Sequence, residues 1–129
     1  EWHKDLGDID KGIGIDADTI SVFFGAAMGV RKNLMLIPLI EHYESYSGND
    51  FSMTAARLIA IQTLPSQYWL KYDLKVPYIW DTKTVPAAFE FQIGKNLSKS
   101  FGIYTDLQAG LGGDKPYNTG IGLGIRFNY

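Results

Sequence analysis

The chain holds 129 residues, 14% of them aromatic and 20% charged, which suits one compact domain and is too apolar for disorder. A net charge of −2 offers no basic footprint for nucleic acid, and the absence of cysteine excludes disulfides, thiolate metal sites and cysteine nucleophiles. The longest apolar run, residues 34–40, is too short for a membrane helix, which leaves strands as the only way this chain could cross a bilayer.

Residues 1–18 carry Glu1, Asp5, Asp8, Asp10, Asp16 and Asp18 among several glycines and read as an acidic extracellular loop or N-terminal segment. The start at Glu1, without Met or an apolar leader, reads as a chain whose export signal has already been removed. From residue 19 to 129 the hydropathy has a period of two. Residues 20–30 are apolar at even positions. Residues 34–46 and 53–63 are apolar on both faces for part of their length and read as strands from their flanks. Pro38 inside the first of these predicts a bulge or local kink. Residues 68–80 set Tyr68, Leu70, Tyr72, Leu74, Val76, Tyr78 and Trp80 against Lys71, Asp73 and Lys75. Residues 85–93 set Phe89, Phe91 and Ile93 against Glu90 and Gln92, and 101–111 set Phe101, Ile103 and Leu107 against Tyr104, Asp106 and Gln108. Residues 121–129 alternate Ile121, Leu123, Ile125, Phe127 and Tyr129 with Gly122, Gly124, Arg126 and Asn128. About seven long strands with short connections predict an all-β, antiparallel up-and-down meander.

The same alternation fits a soluble barrel with its faces exchanged. Strands of about 10–13 residues tilted by about 40° rise roughly 25 Å, the height of an outer-membrane apolar band. Aromatic residues sit near strand ends on the apolar face, Tyr78 and Trp80 at one end and Tyr68, Phe101, Phe127 and Tyr129 at the other, as membrane-interface girdles require. The opposite face mixes glycine with single charges and lacks the Lys/Glu/Thr coat of a soluble exterior. These features together predict a transmembrane β-barrel.

The last nine residues resemble the C-terminal signal of bacterial outer-membrane barrels, with a terminal aromatic, Tyr129, and apolar residues at alternate positions before it. The resemblance implies recognition by the outer-membrane assembly machinery in a Gram-negative bacterium and sets Tyr129 at the periplasmic end. The turns near Arg31, Leu64 and Asn96 then become periplasmic, and those near Ser47, Asp81 and Gly112 extracellular. Seven strands conflict with the even counts of single-chain bacterial barrels. Either residues 1–14 hold a weak eighth strand or the chain is part of a larger barrel; the poverty of residues 5–16 in β-branched and aromatic side chains favours the larger barrel.

The run Asn33-Leu-Met-Leu-Ile-Pro-Leu-Ile40 with Tyr43, then Tyr68-Trp-Leu70, Pro77, Trp80, Thr84-Val-Pro86 and Gly94-Lys95, resembles the outer-membrane transporters grouped with meta-pathway phenol-degradation proteins. The resemblance covers about residues 33–129. It implies passive passage of small molecules, and the greater length of that family implies further strands before Glu1.

On this reading the lumen and permeation candidates are Lys71, Asp73, Lys75, Glu90, Gln92, Asp106, Gln108 and Arg126, because charged linings tune pore selectivity. A hairpin across 81–84 predicts Lys75 opposite Glu90. His42 near Glu44 and Ser45 invites a hydrolase, but Ser45 points to the other face, so no enzyme is expected. Asp8-x-Asp10-x-Gly12 resembles a calcium-loop fragment but has Thr19 where the twelfth-position Glu belongs. No metal or cofactor is expected. Expected partners are outer-membrane lipids and lipopolysaccharide, the assembly machinery, small solutes, and a partner chain or further N-terminal strands. The function expected is a porin-like channel. The alternative is a small closed eight-strand barrel with a structural or adhesive role and, behind it, a lipid-modifying barrel enzyme.

Overall fold

The computed structural model describes residues 2–3 and 17–127. The calcium-like fragment at Asp8 and Asp10, the acidic positions Glu1, Asp5 and Asp16, and Tyr129 lie outside them. The fold is all-β and antiparallel: β1 (Trp2–His3), β2 (Ala17–Gly25), β3 (Met28–Arg31), β4 (Leu34–Gly48), β5 (Ser52–Thr63), β6 (Tyr68–Ile79), β7 (Ala88–Asn96), β8 (Phe101–Gly110) and β9 (Thr119–Phe127). They form one sheet in the order β1-β2-β4-β5-β6-β7-β8-β9, with β3 also on β4. The sheet curls into a half-barrel, and no ladder joins β9 back to β1 or β2 among the described residues.

Sequential neighbours pair as antiparallel hairpins, so the register propagates from one strand to the next. Along β4, β5 and β6, Glu41 faces Ala55, which faces Pro77, with no slip in either ladder. Twelve residues of β6 at about 3.3 Å each span about 40 Å along the strand.

Three sequence expectations need correction. The strand expected over 20–30 breaks at Ala26 and Ala27 into β2 and β3. The cause lies on the neighbouring strand. Ala26 N–H donates to the Pro38 carbonyl at 3.2 Å, but Pro38 has no N–H to return. β4 itself keeps its register with β5 straight through Pro38, opposite Leu58, so the predicted kink appears as a gap in the partner strand. Secondly, the strand expected from Val85 begins at Ala88. Val85 N–H instead donates to Asp114 Oδ2 at 3.0 Å, and Pro86 cannot donate to a ladder. Thirdly, the β6–β7 hairpin pairs Asp73 with Glu90 and Lys75 with Ala88, two residues from the expected match of Lys75 with Glu90. Its connection closes on an Ile79–Thr84 bridge, with Lys83 at a positive φ of 55°, which moves the hairpin centre one residue toward the N-terminus. A two-residue slip preserves the faces, so the division of side chains between them stands. β1 adds an eighth member to the path, with Trp2 opposite Ile20 and His3 opposite Thr19.

The turn at 64–67 holds Ser66 and Gln67 at φ 59° and 66°. Two successive left-handed residues close a tight reversal, sealed by Leu64 N–H donating to the Tyr68 carbonyl at 2.8 Å. Neither residue is Gly or Asn, so this connection carries local strain.

Candidate functional site

Burial in the half-barrel is inside out. Among the described residues the buried polar ones are Thr19, Ser21, Glu41, Asp73 and Asp106, while the buried apolar side chains are few, Ala17, Ala55, Trp69 and Pro77. The exposed side chains include Phe24 at 84%, Ile121 at 78% and Leu123 at 87%. In water this would be the reverse of what apolar transfer favours at about 25 cal/mol per Å². The two faces explain it. The ladders put Ile20, Leu58, Val76, Ile93, Ile103, Leu107 and Ile125 on the convex side. Among the described residues, the regular ladders put charge there only near strand ends, at Glu44 and Lys95. Mid-strand charges on a lipid face cost about 2–4 kcal/mol each, which would exclude them from that position.

The concave face holds the charged residues, and they form a connected network. Arg57 on β5 is its centre. Its guanidinium takes Asp73 in a two-pronged grip, Nε to Oδ1 at 2.8 Å and Nη2 to Oδ2 at 2.7 Å, while Nη1 donates to Glu41 Oε1 at 2.9 Å. Lys71 Nζ lies 2.9 Å from Asp73 Oδ2 and 3.3 Å from Glu90 Oε1. Lys75 Nζ lies 3.1 Å from Glu41 Oε2 and 4.9 Å from the Tyr43 ring centre. The Tyr43 hydroxyl donates to Glu41 Oε2 at 3.2 Å. The register places Arg57 directly opposite Lys75, and the diagonal carboxylates Glu41 and Asp73 separate these like charges. Desolvation of Glu41 and Asp73 is offset by charge-assisted hydrogen bonds in good geometry.

One amide extends the network along β7, and another makes a separate pair on β8. Gln92 Nε2 donates to Glu90 Oε1 at 2.6 Å, and Gln108 Nε2 to Asp106 Oδ2 at 2.9 Å. Opposite Asp106 stands Gly122, where any Cβ would run into the carboxylate, so β9 lends space and no side chains at this level. Arg126 shares the face, with Cζ 5.5 Å from the Trp69 ring. Trp69 lies flat over Gly94 and beside Tyr104 at 5.9 Å, and Tyr104 covers Gly124. Glycine is required at 94 and 124 because those rings occupy the volume a side chain would need.

The structure therefore brings Lys71, Asp73, Glu90 and Gln92 into direct contact, and joins Lys75 to them through Glu41 and Arg57. Asp106 and Gln108 form a separate pair on the same face. Sequence reasoning missed Glu41, Arg57 and Tyr43. They sit where 34–46 and 53–63 read as apolar on both sides, and the missed signal was a lone acid and a lone base inside apolar runs.

The aromatic residues expected at membrane interfaces fall at two ends of the sheet. Tyr78 and Trp80 stack edge-on at 4.8 Å toward one end of β6. Phe101 and Phe127 pair at 5.7 Å, and Tyr68 carries Lys95 Nζ 4.8 Å above its ring, at the opposite strand ends. His42 faces outward, with Nδ1 3.0 Å from Thr54 Oγ1 and Nε2 3.4 Å from Glu44 Oε2; Trp80 Nε1 donates to the same Thr54 oxygen. Ser45 takes no part, because its hydroxyl accepts Phe51 N–H. Among the described residues no group of three or more His, Cys, Asp or Glu is placed to hold a metal ion. No family, curated protein or solved structure matches this chain.

Proposed function

We propose that the protein is a porin-like channel of the Gram-negative outer membrane that passes small solutes passively, with lipid and lipopolysaccharide around the convex face. The observation that carries this reading is the inside-out burial: carboxylates and a guanidinium are sheltered on the concave face while Leu123 and Ile121 stand bare on the other. A sheet patterned this way fits lipid outside and a hydrated, charged lining inside. Lys71, Asp73, Lys75, Glu90, Gln92, Asp106, Gln108 and Arg126 line the path, joined by Glu41 and Arg57. Tyr68, Phe101 and Phe127 anchor one interface and Tyr78 and Trp80 the other. Open strand edges are not tolerated in lipid, so β9 and the β1–β2 side pair with further strands of a larger barrel. The last strand would present the chain to the outer-membrane assembly machinery.

The two-residue β1 favours a second reading. It makes the path eight strands long with antiparallel ends, as a small closed barrel with a structural or adhesive role requires. Conductance separates the two. In planar bilayers the channel reading expects steady ion conductance, and expects Lys75→Ala and Glu90→Ala to shift the cation/anion preference in opposite directions. Unchanged conductance and selectivity in both variants would remove the lining assignment, and a silent wild type would remove the channel.

A further inference from the structure

Resting on the channel reading, we propose that Tyr117 is the constriction residue at the outer mouth, held over the charged lining by a loop that the fold pins inward. The loop is residues 111–118, between β8 and β9. Free loops of this size project into solvent and vary in conformation. Here two bonds that continue the flanking ladders fix the base of the loop, and one bond to a loop side chain draws it toward the segment before β7. Gly110 N–H donates to the Asn118 carbonyl at 3.0 Å, Leu111 N–H to the Ala87 carbonyl at 2.8 Å, and Val85 N–H to Asp114 Oδ2 at 3.0 Å. The last two tie the loop to residues 85–87, the segment that leaves the ladder before β7.

Gly110 makes the inward course possible. It stands on the concave face opposite Ala88, and a Cβ there would collide with the Tyr117 carbonyl and lie 2.9 Å from Lys115 Cβ. With that space open, Tyr117 joins Arg57, Asp73, Lys75, Ala88, Phe89 and Glu90 around a cavity of about 130 Å³. A residue from outside the strands thus lines the same cavity as side chains of the acid–base network. Partial burial first, then the carboxylates of Glu90 and Asp106, push the phenol above its ordinary range, so it stays neutral at ordinary pH. A neutral ring on the same cavity as Lys75 and Glu90 narrows the path by bulk and leaves the charge pattern to select.

Single-channel recording of the full chain tests this with three variants. Tyr117→Ala removes the ring, and Asp114→Ala releases the loop without touching the lining. Both are expected to raise conductance roughly twofold, since the narrowest section dominates a pore's resistance. Tyr117→Phe keeps the bulk and is expected to conduct like wild type. A conducting wild type whose Tyr117→Ala variant inserts and conducts identically overturns the constriction. So does a Tyr117→Phe variant as open as the alanine one. A wild type that does not conduct overturns the channel reading on which this rests.

Discussion

Arg57 reaches carboxylates on two neighbouring strands at once, and its removal would leave Glu41 and Asp73 sheltered beside no guanidinium. Breaking a buried pair by deleting one partner costs about 3 kcal/mol or more, whereas an exposed pair is worth under about 1. Lys75 stays on Glu41 and Lys71 on Asp73, so Arg57→Ala is expected to lower unfolding stability in detergent by about 1–2 kcal/mol. Arg57→Lys, which cannot grip Asp73 with two prongs, should lose part of that. A loss below about 0.5 kcal/mol for the alanine variant would mean that water already screens the network. None of this grip was legible from sequence. Alternation assigns a face to each residue, but which acid meets which base depends on a register that turns decide. Charges at 71, 73 and 75 were found because their strand alternates cleanly. Glu41 and Arg57 were passed over because apolar neighbours such as Ile37, Leu39 and Ile59 share their face.

Strands were more legible than their pairing. Five segments of clear period two and two that read as apolar on both faces became β2 with β3 and β4 to β9. The errors fall at Pro38 and Pro86, where a missing N–H acts on the partner ladder or passes a segment to a loop, and at the β6–β7 hairpin. That hairpin has a direct check, helped by a chain that contains no cysteine. Leu74 lies opposite Phe89, so the Leu74→Cys/Phe89→Cys pair should oxidise to a disulfide readily. Val76→Cys/Phe89→Cys, which would face each other if Lys75 met Glu90, should resist. Preferential cross-linking of the second pair would restore the register expected from the turn alone. The strained Ser66 and Gln67 turn illustrates the same limit: no Asn-Gly pair signals it, yet the backbone adopts two left-handed residues.

At the scale of the molecule, the near-even split between polar and apolar residues gave no indication of an unusual protein. The structure sorts that average into two opposed surfaces on a curled sheet, and the sorting was visible as soon as the period was read. Closure was not legible, because strand count depends on two residues, Trp2 and His3, that carry no strand pattern of their own. The central claim is that the concave face lines a water path through lipid. Single cysteines at adjacent positions in lipid vesicles test it most directly, using a membrane-impermeant thiol reagent. Gln92→Cys and Gln108→Cys should react from the aqueous side, while Phe91→Cys and Leu107→Cys, one residue away on the other face, should be protected. Equal reactivity at all four positions, or protection of the glutamine positions with reaction at Phe91 and Leu107, would contradict it.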